Sequence, residues 1–507
     1  MNTETLLSTH DAYSNHAKQA DFLYRSYVGG KLYQKGEYLV KYFGEQNTPG
    51  DAYNKRIMST PIDNHVKTTV DIYSSFIFRN LPKRTLGGLV NNPTVQNFIK
   101  DTDQDGSTMD AFMKSVNDMA LVLGNVWLLV DKPSYAVQTQ AQAQALGLKG
   151  YVCAYTPQNV LDWNYTRAVT GKKILDYIKV VEHEDTNHAL ISIWYPDRIE
   201  RYTVAKDEQG EHTGIINEEL YSNPLGYVPF INYAPLPSPT KGVGFSLVGD
   251  VALAQKYIYN LLSELEQNIR ISGHPSLVKT PSTRATAGAG AIIEVQDDMD
   301  PGLKPYLLQP SGSSIDGILD AIDKIVHAIH RMTHTSAVQI MRGSPMSGTA
   351  LKTERQLLNT KLADISQHLQ ETELKIWNMW FDWEGITKSN EFDIEYANTF
   401  DIEDEHADLE LYGKALKTVS DPMFTTEVNK MVAELIVKDE AKLQQIHNSM
   451  ESVPEEQPTE MEHPVTDPQN RREHILEMIA QGLSDPEMLD LHPEIGQEDI
   501  NRARSAE

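Results

Sequence analysis

The chain has 507 residues, of which 40% are hydrophobic, so its length fits about three structural units with filled cores. It carries 45 basic and 71 acidic residues, and the net charge of −26 excludes a protein that coats nucleic acid by neutralising phosphates over its whole surface. The single cysteine, Cys153, excludes a disulfide framework and any multi-cysteine zinc or iron–sulfur site, and it is typical of a core residue in a reducing cytoplasm.

The sequence carries no signal for a membrane or for nucleotide hydrolysis. No run approaches about 18 consecutive apolar residues, and the first residues lack the basic and apolar regions of a signal peptide. A phosphate loop, an H-E-x-x-H motif and a G-x-S-x-G motif are absent. We therefore expect a soluble protein without a signal peptide or membrane span that does not itself hydrolyse ATP.

The N-terminal part is predicted to be mainly helical. Residues 10 to 90 have the pattern of helices joined by loops, and a further helix is predicted from Ser107 to Met119. The run from Leu121 to Val130 predicts a buried strand because it is rich in β-favouring residues. The Ala/Gln-rich stretch from Ala136 to Leu148 indicates an exposed helix or a mobile insert.

Residues 150 to 235 predict a mainly β or α+β region. Turn-forming segments such as Lys206 to Gly210 separate four strand-like runs, YVCAY, YIKVVEH, ALISIWY and RIERYTV. With helical patterns on both sides, these strands predict an α+β protein that is mainly helical.

Two apolar stripes with heptad spacing follow. Each predicts a helix of about 20 residues, roughly 30 Å long, and the first ends at Gly273-His-Pro. The stripes consist of Val251, Gln255, Ile258, Leu262, Leu265 and Ile269, and of Ile315, Ile318, Ile322, Ile325, Ile329 and Met332.

The segment between these helices, 274 to 312, does not have a helical pattern. It contains five prolines, a Gly/Ala patch and one strand-like run, Ala291 to Val295, so we expect a small loop-and-strand lobe at the end of a helical pair. After a Gly/Pro/Ser break at 339 to 350, a long helix is predicted from Thr349 to Trp383. The rest of the chain predicts the strand EFDIEYANTF, a helix at 404 to 419, a helix at 425 to 450, an acidic linker at 451 to 469 and a short helical end.

In this order, the segments resemble the portal, or head-to-tail connector, proteins of tailed bacteriophages over most of residues 20 to 440. Asp103 to Ser107, a helix, and then Gly124 to Asp131 are similar to the part of a portal subunit that opens its wing. Gly244-Phe-Ser before the first heptad helix is similar to the start of the stem. Ser347 to Lys352, which open the long helix, are similar to the segment after the tunnel loop.

The resemblance implies a ring, usually a dodecamer, at one capsid vertex. A separate terminase drives double-stranded DNA through its channel, and the DNA later leaves by the same route. The implied regions are a wing at 1–245, the first stem helix at 246–272, a clip at 273–312, the second stem helix at 313–336, a tunnel loop at 337–350, more wing at 351–424, a crown helix at 425–454, and an acidic linker with a small helical module at 455–507.

The resemblance also implies three sets of site residues. It implies no catalytic residue, no metal and no cofactor. The tunnel loop would face DNA through Met341, Arg342, Ser344, Pro345, Met346 and Ser347, with Arg342 placed to touch a phosphate. The clip would dock the terminase large subunit and the tail adaptor through Lys279, Arg284 and Lys304. The stem would pack the ring through Val251, Ile258, Leu262, Leu265, Ile269, Ile315, Ile322, Ile325 and Ile329.

The resemblance implies that the protein is a non-enzymatic conduit for DNA in the virion. It would be assembled in the host cytoplasm and would have no membrane partner. It would nucleate head assembly with the major capsid and scaffolding proteins and pass DNA without sequence specificity. An acidic channel suits this task, since each neutralised phosphate adds affinity, whereas repulsion keeps the duplex centred and sliding. An acidic surface that serves solubility explains the charge of −26 equally well.

Three clusters leave other functions open. Asp101, Asp103 and Asp105 match the first half of a calcium loop, but Phe112 stands where the bidentate glutamate belongs. The plainer interpretation of this cluster is an Asp-rich turn with a helix N-cap at Ser107.

The second cluster, His327, His330 and His334, has helical spacing suited to a zinc ion, although no carboxylate lies at matching spacing. Polar positions beside an apolar seam are the plainer interpretation. The third cluster suits acid–base or two-metal chemistry, although its residues also fit the wet face of a strand and the first turn of a helix. It comprises Asp393, Glu395, Asp401, Glu403, Asp404 and Glu405. The alternative functions are therefore a metal-dependent hydrolase acting on nucleic acid, or a helical scaffold protein unrelated to phages.

The tail from His474 to Arg504 resembles the small helical module known as DUF433. In that resemblance, Gly482 ends one helix and Ser484 caps the next. Such a module suggests contact with DNA or protein, but its basic residues are few: Arg471, Arg472, Arg502 and Arg504. Two roles stay open, a tethered contact module and a crown helix packed on its neighbours.

Overall fold

The computed structural model describes residues 2–46, 51–132, 146–273, 276–281, 298, 300–308, 313–336, 348–400, 405–419, 421–436, 440–451, 475–476, 478–479, 485 and 497–505. The chain forms two compact units, Met1–Asp401 and Ile402–Glu507. Within the described ranges, no helix has the length and apolar character needed to cross a membrane. Most of the Ala/Gln-rich stretch and the predicted strand Ala291 to Val295 lie outside the described residues.

The first unit opens with helices, as predicted. Side chains cap several of them: Asn64 accepts a hydrogen bond from the backbone N–H of Lys67, and Asn92 accepts one from Thr94. The helices are α1 Thr3–Leu7, α2 Tyr13–Val28, α3 Gly30–Gln34, α4 Phe43–Gln46, α5 Asp51–Ser59, α6 His65–Ile77, α7 Pro93–Lys100 and α8 Met109–Leu123.

The apolar run from Leu121 to Val130 is divided between a helix and a strand. Its first three residues are the last of α8, which is capped by Gly124 with φ of +97°, and strand β2, Val126–Asp131, follows. A Cβ on Gly124 would lie 2.5 Å from the carbonyl oxygen of Gly244, so the turn requires glycine. The prediction of one strand over the whole run was wrong, because both elements are buried and periodicity does not separate them.

Two larger antiparallel sheets form most of the β part of the first unit, which also has two sheets of two short strands each. One has the order β3-β2-β9, and the other has the order β4-β5-β6-β7-β8. The remaining strands of the sheets are β3 Tyr151–Tyr155, β4 Val160–Arg167, β5 Lys173–Glu184, β6 His188–Trp194, β7 Arg198–Lys206, β8 His212–Ser222 and β9 Phe230–Tyr233. The four strand runs predicted from the sequence are confirmed as parts of β3, β5, β6 and β7.

Strand β2 separates two cores. Val126, Leu128 and Val130 lie in the main core with the helices. Trp127 and Leu129 face the other way, into a core that includes residues of the five-stranded sheet. Because both faces are covered, β2 is buried along its whole length. Cys153 on the neighbouring strand packs against the second core, as predicted for a core cysteine.

A 37-residue helix, α11 Gly348–Glu384, crosses the main core, close to the predicted Thr349 to Trp383. The helices α9 Gly249–Gly273 and α10 Ser313–Met332 precede it in the chain. Near the C-terminal end of α11, Trp380 stacks on Phe98 of α7 with ring centroids 4.5 Å apart. Its last residue, Glu384, accepts hydrogen bonds from Lys132 Nζ at 2.5 Å and from the backbone N–H of Gly150 at 2.7 Å. The helix therefore ties α7 and the ends of β2 and β3 together.

A short sheet joins distant parts of the first unit. Strand β1, Lys83–Thr85, pairs antiparallel with β12, Asp393–Glu395, so that Arg84 lies opposite Ile394. On β12, Asp393 and Glu395 are exposed while Ile394 is buried, which confirms their placement on the wet face of a strand.

The second unit is helical where it is described. Helix α12, Glu405–Thr418, agrees with the helix predicted at 404 to 419, while residues 401 to 404 lie outside the described residues. Of the helix predicted at 425 to 450, the structure describes α13 Pro422–Ile436 and α14 Glu440–Glu451, and residues 437 to 439 lie outside the described residues. A further helix, α15, spans Gln497–Arg504. Taken as a chain, the protein is α+β and mainly helical, as predicted.

Candidate functional site

Two long helices form an antiparallel hairpin in the first unit. They are α9 Gly249–Gly273 and α10 Ser313–Met332, which pack on each other and lie close to the predicted stem segments. Beyond their outer ends, strands β10 Ser276–Val278 and β11 Tyr306–Leu308 pair antiparallel. The chain therefore leaves α9 and enters α10 at the same end of the hairpin.

The inner half of α9 is locked into the body of the first unit. Gln255, which is only 1% exposed, accepts a hydrogen bond from the backbone N–H of Val66 on α6 at 2.9 Å and donates one to the carbonyl of Ser26 on α2 at 3.1 Å. A buried amide that satisfies two backbone groups fixes the rotation and height of the helix, since a shift leaves those groups unpaired.

A buried arginine holds the middle of α9. Arg56 on α5 donates hydrogen bonds to Ser263 on α9 at 3.0 Å and to Glu45 at 2.7 Å, and its guanidinium lies 3.9 Å from the ring centroid of Tyr42. Hydrogen bonds from Arg56 lower the pKa of Glu45. The sequence did not predict this anchor, because no motif near Arg56 indicates a contact with Ser263, which lies much later in the chain.

Part of the predicted ring-packing seam lies inside the subunit. Val251, Ile258 and Ile329 are each 1% exposed and belong to the main core of the same chain. The prediction that these three side chains pack against a neighbouring subunit was wrong, because they are already covered by their own chain. Three further members are half-buried against the same core: Leu262, Ile322 and Ile325.

The outer half of the hairpin is more open. Leu265 and Ile315 are half-buried, and Ile269 is 55% exposed. An apolar groove of about 450 Å³ runs along this part of α9, bordered by Pro61. These outer residues remain predicted contacts between subunits.

One side of α10 is acidic and exposed. Asp316, Asp320 and Asp323 recur at steps of four and three residues, away from the apolar stripe that faces the core. The acidic side therefore covers the outer half of α10, whereas the exposed residues further in include Lys324 and Arg331.

The three histidines in and just after α10 have different surroundings. His327 is exposed, whereas Nδ1 of buried His330 lies 3.2 Å from Thr335 Oγ1, and burial lowers the pKa of His330. His334 lies beyond the helix with φ of +55°, and its Nδ1 is 4.0 Å from Glu354 Oε2 of α11. Among the described residues, no group of three or more metal-binding side chains occurs.

The predicted tunnel-loop and clip residues are mostly not described. Met341, Arg342, Ser344, Pro345, Met346 and Ser347 lie outside the described residues, as does Arg284. Lys279 follows β10 and Lys304 precedes β11, and both are exposed near the tip of the hairpin.

The Asp-rich segment after α7 is a turn stabilised by its own backbone. Asp101 accepts a hydrogen bond from the N–H of Gly106 at 2.9 Å, and Asp103 accepts bonds from Asp105 and Ser107, each at 3.0 Å. The N-cap of α8 is Thr108, which accepts from Ala111 N at 3.3 Å, so the prediction of Ser107 as the cap was wrong by one residue.

The solved structures that are similar to this chain include two necks of GTA particles. One is the neck of an empty GTA particle computed with C6 symmetry, with a TM-score of 0.41 and 9% identity over 75% of this chain and 94% of that chain. The other is the neck of a native GTA particle computed with C12 symmetry, with a TM-score of 0.39 and 10% identity over 72% of this chain and 89% of that chain. No protein-family model and no curated protein matches the chain.

The C-terminal tail therefore has no family match that supports its resemblance to DUF433. The positions of Gly482, Ser484, Arg471 and Arg472 lie outside the described residues. In the described part of the tail, four side chains form a small buried cluster: Ile475, Met478, Ile500 and Ala503.

Proposed function

We propose that this chain is the subunit of a portal ring, located at one vertex of a phage-like capsid, through which double-stranded DNA passes. The observation that carries the proposal is the hairpin of α9 and α10. Its inner half is fixed to the body by Gln255 and Arg56, while its outer half exposes apolar and acidic surface. A ring around a channel needs such an element, which is held rigidly and is open to neighbours on its flanks.

The charge of α10 supports a channel wall that does not retain DNA. Asp320 and Asp323 are exposed on the side of α10 away from the core, and the whole chain has a net charge of −26. Repeated around a ring, these carboxylates repel phosphates, so the duplex stays centred and no counterion release holds it in place.

The remaining roles in the proposal follow from the resemblance stated above. The ring is a dodecamer of the virion that nucleates head assembly with the capsid and scaffolding proteins. The terminase and later the tail adaptor dock at the tip of the hairpin near Lys279 and Lys304. The chain acts as a conduit for packaging and ejection and performs no catalysis.

Electron microscopy of the purified full chain in negative stain tests the proposal. We expect closed rings with rotational symmetry and a central opening wide enough for a DNA duplex. Particles of single-chain mass by light scattering at every concentration tested, without rings on the grid, would overturn it. The double variant Glu208→Lys/Glu211→Lys changes charges on the exposed turn between β7 and β8, away from the hairpin, and should form rings as well as the unmodified chain does.

A further inference from the structure

The groove on the outer half of α9 lies on the same side of the helix as a surface that α2 and α6 cover on the inner half. Gln255, Leu262 and Ile269 are spaced by seven residues and therefore lie on the same side of the helix. At Gln255 this side is covered by α2 and α6, whereas at Leu262 and Ile269 it forms the groove, which no described residue fills. An apolar groove of about 450 Å³ has room for a large aliphatic side chain.

An exposed leucine on α10 lies about 9 Å from the outer end of the hairpin, and Ile269 in the groove lies about 6 Å from it. Leu319 is 44% exposed and stands six residues after the start of α10, while Ile269 stands four residues before the end of α9. Both ends meet at the strand pair of β10 and β11, and a helix rises 1.5 Å per residue. A rotation about a ring axis keeps heights unchanged, so it brings surfaces of equal height together.

Charges of opposite sign flank the two surfaces. Arg270 borders the groove with its side chain 58% exposed, and in its own chain it pairs with Glu266 one turn earlier. Asp316 is exposed one turn before Leu319. The edge of the groove thus carries the Arg270–Glu266 ion pair, in which the arginine is the more exposed partner, and the leucine has an acidic neighbour at similar height.

We propose that the groove of one subunit receives the partner subunit's Leu319, and that Arg270 pairs with Asp316 of the partner subunit. The inference rests on the proposed ring and assigns residues to its contact. The groove and the leucine are different surfaces of one subunit, so the contact is heterologous and closes when the rotation between copies closes. Burial of the leucine side chain in the apolar groove stabilises the contact, and the ion pair fixes how the two subunits align.

Exchanging the two charges tests the ion pair. We expect Arg270→Asp and Asp316→Arg, each alone, to raise the protein concentration needed for half-assembly roughly fivefold, because like charges then meet at every contact. The double variant should return to within about twofold of the unmodified chain. Mass photometry over a concentration series gives the readout. If the singles assemble normally, or if the double variant is not rescued, the assignment of this pair is overturned.

Disulfide trapping between different copies tests the groove. The native Cys153 is half-buried, and burial raises its pKa to about 12, so it does not compete. Rings assembled from a mixture of Ile269→Cys chains and Leu319→Cys chains should give covalent dimers on oxidation, whereas either variant alone should not. A mixture of Val169→Cys and Leu319→Cys is the control, since Val169 lies on an exposed turn.

The outcomes separate the contact from the ring. Rings with dimers confined to the first mixture support the contact. Rings without such dimers overturn the contact and leave the proposed function standing. The absence of rings from the unmodified chain overturns both.

Discussion

Arg84 and Glu373 form an ion pair that is almost closed off from water. Arg84 Nε lies 2.5 Å from Glu373, which is fully buried, and Arg84 Nη1 lies 2.6 Å from Asp110. Glu373 also accepts hydrogen bonds from Tyr396 at 2.6 Å and from Trp377 at 3.1 Å. The network joins β1, α8 and α11, so these elements depend on one set of charges.

Removing one charge of this network should be costly. We expect Arg84→Met to lower the free energy of unfolding by about 3–5 kcal/mol, because Glu373 is left buried without its cation. Urea denaturation of the full chain measures the loss. Arg198→Met serves as the control, since the Arg198 side chain, which pairs with Glu200, is 40% exposed and the pair should contribute less than about 1 kcal/mol. Equal losses for the two variants would contradict this account.

His330 provides a prediction about pH. Burial lowers its pKa, and the nearby His65 and His327 lower it further. The unfolded chain therefore binds a proton at this position at higher pH than the folded chain. Stability that is present above the unfolded pKa of about 6.5 is lost as the pH falls below it.

We expect the melting temperature of the unmodified chain to fall between about pH 7.5 and about pH 5.5, and to fall less in His330→Gln. Differential scanning fluorimetry at the two pH values measures both. His188→Gln, at an exposed strand end, should keep the fall of the unmodified chain. An identical fall in His330→Gln would show that another group is responsible.

Contacts between residues that are distant in the chain were the least predictable part of the structure. Arg56 meets Ser263, and Arg84 meets Glu373, across more than two hundred positions of the chain. Periodicity and local motifs contain no information about such pairs, because tertiary folding alone brings them together. The local patterns did place Asp393 and Glu395 correctly, since alternation along one strand is a property of neighbouring residues.

At the scale of elements, the two heptad stripes predicted both helices of the hairpin. The predicted bounds agree with both ends of α9 and with the start of α10 to within about three residues. They did not predict what covers each stripe. Val251 and Ile258 contact their own core, whereas Ile269, on the same helix, is open. An apolar face has the same sequence pattern whether its cover is the same chain or another copy, so only the structure separates the two cases.

The junction of α8 and β2 gives a prediction at this scale. Gly124→Ala combines a positive φ with a clash against the backbone of Gly244, and we expect a loss of about 2 kcal/mol or more. Gly210→Ala isolates the first effect, because Gly210 has φ of +87° and open space around it, and should cost about 1 kcal/mol. Thermal denaturation compares the two. A loss at Gly124 no larger than at Gly210 would show that the close approach to Gly244 is unimportant.

At the scale of the whole molecule, the acidic side of α10 should decide how the ring treats DNA. We expect the unmodified ring to bind linear duplex weakly. Asp320→Lys/Asp323→Lys should bind more tightly and with a steeper salt dependence, because its lysines neutralise phosphates and release counterions. Fluorescence anisotropy between about 50 and 200 mM salt measures both slopes. Glu208→Lys/Glu211→Lys changes the net charge equally, away from the hairpin, and should change the slope less.

The hairpins of α9 and α10 should stand side by side around a channel, with Asp320 and Asp323 of α10 toward it and Asp316 at the subunit boundary. A density map of the assembled full chain by electron cryomicroscopy tests this most directly. The account predicts a closed ring in which Asp320 and Asp323 of every copy face the opening and Ile269 lies at a subunit boundary. A map in which the hairpins point outward into solvent, away from any central opening, would contradict it.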